Sequence, residues 1–87
     1  MATLKSITGK TAAQIRAMSD IEVDALRYKL EDNNQHTAVV MVLAAHNNDG
    51  RILKALEAFD EMHQALGYLT SEAIALRESF RNQIKAA

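Results

Sequence analysis

Thr8-Gly9-Lys10-Thr11 carries the residue types found at the end of a phosphate-binding loop. Such a loop needs Gly-x-x-x-x-Gly-Lys-Ser/Thr after a strand, so that bare backbone amides can cradle phosphates. Leu4 stands at the first glycine position and no strand precedes it, so the stretch reads as the approach to a helix. Asp60 and His63 have the spacing of a carboxylate-histidine pair on one helix face, with Glu57 and Glu61 nearby. Bundle metal sites combine such pairs from two helices with further glutamates. A pair with His63 on the apolar seam reads instead as a hydrogen-bonded core or interface histidine. His36 and His46 flank an apolar run without a nucleophile or a paired acid, and the histidines lack zinc-finger spacing. Ser19 and the other hydroxyl residues fit no serine-histidine-acid order, and no Gly-x-Ser-x-Gly elbow occurs. These readings argue against an enzyme and give no catalytic residue, metal ligand or cofactor site.

Arg77, Arg81 and Lys85 recur at steps of four and form a basic stripe on the last helical segment, which can contact phosphates. The stripe lacks the aromatic interleaving that stacks on bases, and such stripes are more often solvated or paired with acidic neighbours. Thr11 to Leu30 can be pressed into a helix-turn-helix, but Asp20, Glu22 and Asp24 would then face the DNA backbone, which repels them.

The chain has 87 residues, ten basic and eleven acidic, for a net charge of −1, so no global field draws it to nucleic acid or anionic lipid. Its 48% hydrophobic content is ordinary for a folded domain. There is no cysteine to staple so small a core, which leaves oligomerisation as the device that small proteins commonly use. The start of the chain has no apolar run like a signal peptide, and the longest run, Ala38 to Ala45, falls short of the roughly 20 residues of a membrane span. A cytoplasmic protein is the expectation.

Residues 1–10 show no period and are expected to form a flexible arm. Thr11 and Gln14 fit a capping box, with Ile15 and Met18 at helical spacing behind it, which predicts a helix over about 12–18. Ser19 and Glu22 form a stronger box, with Met18 and Val23 placed as a hydrophobic staple. From there Val23, Leu26, Leu30, Asn33, Thr37, Val40, Ala44 and Asn47 alternate at steps of three and four, predicting one long helix over about 20–47. Its weak point is Asp32 to His36, where asparagines can support a turn. If the helix continues, Asn33 and Thr37 lie on the seam and can set oligomer register; if it breaks, both are exposed.

Ala38 to Leu43 is β-branched enough to read as a buried strand, but no second segment offers a strand partner. As a helix it is apolar on nearly all sides and must be buried on several faces at once, which a second chain would make easier. Asn47 to Gly50 supplies a reversal. A helix over about 51–66 carries Ile52, Leu56, Phe59, His63 and Leu66, and Gly67 suits its stop. Thr70 or Ser71 starts a last helix over about 71–85 with Ala73, Leu76, Phe80 and Ile84 as its apolar stripe.

The expected fold is all-α: a small helical bundle in one domain, built on an antiparallel helical hairpin and completed by oligomerisation. Val39, Val40, Leu43, Ile52, Leu56, Phe59, His63 and Leu66 are the expected partner or oligomer interface. The expected function is that of a small non-catalytic interaction protein, of adaptor, chaperone or inhibitor type, acting as a homo-oligomer, a dimer above all, on a protein partner. Phage and plasmid accessory proteins are often of this kind, which is analogy alone. The alternative is binding of nucleic acid or an anionic ligand through Arg77, Arg81 and Lys85.

Overall fold

Side-chain oxygens open nearly every helix of this chain. Thr3, Thr11, Ser19, Asp49 and Thr70 accept from the amides of Ser6, Gln14, Glu22, Ile52 and Ala73 respectively, each satisfying a donor that a helix start leaves free. The computed structural model describes residues 3–86, with side chains from Thr3 to Ile84. They form α1 (Leu4–Thr8), α2 (Ala12–Arg16), α3 (Asp20–Asp32), α4 (His36–His46), α5 (Gly50–Leu66) and α6 (Ser71–Ala86). No strand occurs among the described residues, so the fold is all-α, and the strand-like run Ala38 to Leu43 is helical.

The flexible arm expected over residues 1–10 is corrected from Thr3 onward; Met1 and Ala2 lie outside the described residues. Thr3 and Ser6 close a capping box, and Gly9 ends α1 in the left-handed region at φ 76°. Leu4 is buried, and its amide donates to Glu57 Oε2 on α5 at 2.8 Å. The period went unseen because a five-residue helix is too short to repeat one.

The single helix expected over 20–47 is two helices, divided at Asn33-Asn34-Gln35. Asn34 takes φ 59°, a left-handed conformation that asparagine tolerates better than most residues, and the Gln35 amide donates to Leu30 O at 2.9 Å. Seam spacing ran through the break because Thr37 and Val40 happen to continue it. Neither alternative for Asn33 and Thr37 holds for both residues. Asn33 is exposed and turns its side-chain amide to Lys29 O, whereas Thr37 is buried.

The break lets the chain wrap its most apolar helix. Thr37 to Val42, Ala44 and Ala45 are all buried, leaving α4 covered on every side. It packs against each of α1, α2, α3, α5 and α6, most extensively against α5. Ile15 from α2, Val23 and Leu30 from α3, Ile52, Leu53 and Leu56 from α5 and Ile84 from α6 complete one core around it. The expectation was that a second chain would make this burial easier; five other helices of the same chain cover α4.

Candidate functional site

Most of the interface expected from sequence lies in that core. Val39, Val40, Ile52, Leu56 and Phe59 are buried within the single chain, and Leu43 and His63 are partly buried. Leu66 alone of the set is well exposed, at 52%. The correction has a plain cause: the seam of α5 faces α4 of its own chain, and what is filled from inside presents no docking surface.

The basic stripe is also rearranged. Arg77 is buried, and its Nη1 donates to Thr37 Oγ1 at 3.3 Å. Arg81 is partly buried, and the side chain of Lys85 lies outside the described residues. Arg77 occupies the inward face of α6 between Ala73 and Ile84, both buried, while Leu76, placed in the apolar stripe by sequence, is exposed. Ala73, Phe80 and Ile84 face inward as expected, but Arg77 takes the place expected for Leu76, so these side chains do not make a row of solvent-facing cations.

Arg77 instead reaches a cleft of roughly 430 Å³ walled by Ile7, Thr37, Ala38, Leu69 and Ile74. This space meets the first turn of α4, whose N-cap residue, Gln35, makes no side-chain capping bond. Asp60 and Gln64 of α5 stand on its far wall, and Gln64 Nε2 donates to Asp60 Oδ2 at 2.9 Å. Burial pushes the Asp60 carboxyl above its ordinary value, against the smaller opposing pulls of Gln64 and His63. A carboxyl raised by folding holds its proton more tightly folded than unfolded. Its contribution to stability is then fully present below the unfolded value and is lost as pH rises through the folded one. Asp60→Asn should therefore melt higher than the parent chain at neutral pH, with the gap closing below about pH 4. Thermal unfolding across pH measures this, and an equal gap at all pH values would contradict it.

Asp60 and His63 do not act as a pair. His63 Nδ1 donates to Phe59 O at 2.7 Å, and its ring lies 4.3 Å from the Phe59 ring. Among the described residues no group of three or more His, Asp or Glu side chains is placed to hold a metal ion. His46, at the far end of α4, bonds through Nε2 to Met18 O at 3.2 Å and fastens the α2–α3 corner. Ser19 is occupied as a helix cap. Several large apolar side chains are exposed among the described residues: Ile21 and Tyr28 on α3, Tyr68 and Leu69 in the 67–70 connection, Ile74 on α6, and Met62, Leu66 and Leu76, each of the last three about half exposed. Phe59 and Phe80 meet edge to face at 6.5 Å, setting α5 beside α6, and the 67–70 connection returns the chain along the same side. Steps of three and four from Phe59 reach Met62 and Leu66 on α5, and a step of four back from Phe80 reaches Leu76 on α6.

Sequence reasoning missed the meeting of Arg77 with Thr37. The available signal was a threonine on the seam directly before the apolar run from Ala38, since a buried hydroxyl needs a partner. No protein-family model matches the chain, and comparison with curated proteins and with solved structures finds no match. No helix among the described residues is long and apolar enough to cross a membrane.

Proposed function

We propose that this protein is a small non-catalytic interaction protein, of adaptor, chaperone or inhibitor type, that works as a homodimer and engages a protein partner by helix packing. The hairpin of α4 and α5 is its scaffold, and the dimer forms through Met62, Leu66 and Leu76. The observation that carries this reading is the exposure of Met62, Leu66 and Leu76, because large apolar side chains left open on a small domain favour association with a second surface. A second copy offers the same side chains, and a two-fold axis lets identical ridges pack against one another.

Leu66→Glu tests it. Half exposed near the end of α5, residue 66 tolerates the change without loss of the core. Light scattering behind size exclusion should show the parent chain as a dimer and the variant as a monomer with unchanged helical circular dichroism. A parent chain that is monomeric at every concentration, or a variant that dimerises equally well, rejects the proposal.

A further inference from the structure

Two positive features converge on the cleft at the start of α4, and no carboxylate of the described residues forms an ion pair with Arg77 there. The first is Arg77, 8% exposed, whose one hydrogen bond there goes to Thr37 and which has no carboxylate within ion-pair distance among those residues. A guanidinium offers five N–H donors and holds its charge at any ordinary pH, and no Arg77 nitrogen is among the buried side-chain atoms left without a hydrogen-bond partner, so its remaining donors open to the cleft. The second is the α4 N-terminus: no side chain caps it, and the amides of His36, Thr37 and Ala38 find no backbone acceptor outside the helix. Free first-turn amides and the helix dipole make that end electropositive. Thr37 belongs to this turn and is also the residue Arg77 bonds, which brings the cation beside the electropositive end of α4. Asp60 shares the cleft but is held by Gln64, without an ion pair to Arg77.

We infer that this cleft binds a small oxyanion, a carboxylate or phosphate group carried on an apolar body, with the charged group between Arg77 and the first-turn amides of α4. Ile7, Ala38, Leu69 and Ile74 supply the apolar walls, and a volume of roughly 430 Å³ admits a small molecule rather than a strand of nucleic acid. The site is separate from Met62, Leu66 and Leu76 and stands or falls independently of the proposed dimer.

The experiment is an amide-resolved NMR titration of the full chain at constant ionic strength, with hexanoate in one arm and inorganic phosphate in the other. Saturable shifts of the Thr37 and Ala38 amides and of the Arg77 Nε–H are expected, with a dissociation constant below about 10 mM in at least one arm. Saturation by hexanoate alone identifies a carboxylate ligand, and saturation by phosphate alone a phosphate-bearing one. Arg77→Gln should weaken binding about tenfold or more. Gln35→Asp, at an exposed position, places a tethered carboxylate at the same amides and should weaken binding comparably while leaving Arg77 and the core in place. Linear, unsaturable shifts in both arms, or saturable binding that Gln35→Asp leaves unchanged, would overturn the inference.

Discussion

Leu56→Ala should cost this protein about 2 to 5 kcal/mol of unfolding free energy. Leu56 is 0% exposed and lies where α5 meets α4, the most extensive helix pair of the fold. Removing its branched end takes away buried apolar surface and leaves a space that backbones fixed on several sides cannot close. A domain of this length has a total stability of about 4 to 13 kcal/mol, so the variant loses a large fraction of it. Urea denaturation of the two proteins, read as a shift in midpoint at unchanged slope, measures the loss. A midpoint within error of the parent would mean that α4 and α5 do not pack as described.

Ile15→Ala should be nearly as damaging, at about 2 to 5 kcal/mol, although it falls in a helix of only five residues. A helix so short has almost no stability of its own, since nucleation consumes what its few hydrogen bonds return. What holds α2 is Ile15, which is 0% exposed and belongs to the core around α4. Ile21, six residues further on and 82% exposed, supplies the contrast: Ile21→Ala should change stability by no more than about 0.5 kcal/mol. If the two variants melt alike, α2 is a surface ornament and the covering of α4 from that side has been misread.

Local chemistry was the readable part of this sequence. The Thr11-Gln14 and Ser19-Glu22 capping boxes, the reversal at Asn47 to Gly50 and the left-handed Gly67 stop all stand where residue types placed them. They were legible because a cap depends on neighbours three or four residues away. The division at Asn34 was visible as a weakness but not as a fact: a turn and a helix both suit Asp32 to His36, and the choice falls to long-range packing around α4. On α6 the inward stripe was placed correctly at Ala73, Phe80 and Ile84 and missed at one position, for a similar reason. Periodicity fixes angles between side chains on one helix but not which stripe meets its neighbours, so Leu76 was taken inside and Arg77 outside. The cleft was illegible because Ile7, Thr37 and Arg77 come together from three helices distant in sequence.

Having one helix at the hub of five others shapes how this molecule must come apart. A two-layer bundle can shed an edge helix and keep a core; here each peripheral helix is a stave against the same axle, and stripping any one wets α4 directly. Partial unfolding is thus penalised from every direction, and the transition should approach all-or-none despite the brevity of most segments. It also follows that neither end of the chain is a dispensable appendage, because the Leu4 amide near one end is tied to Glu57 on α5 and Ile84 near the other is part of the same packed centre.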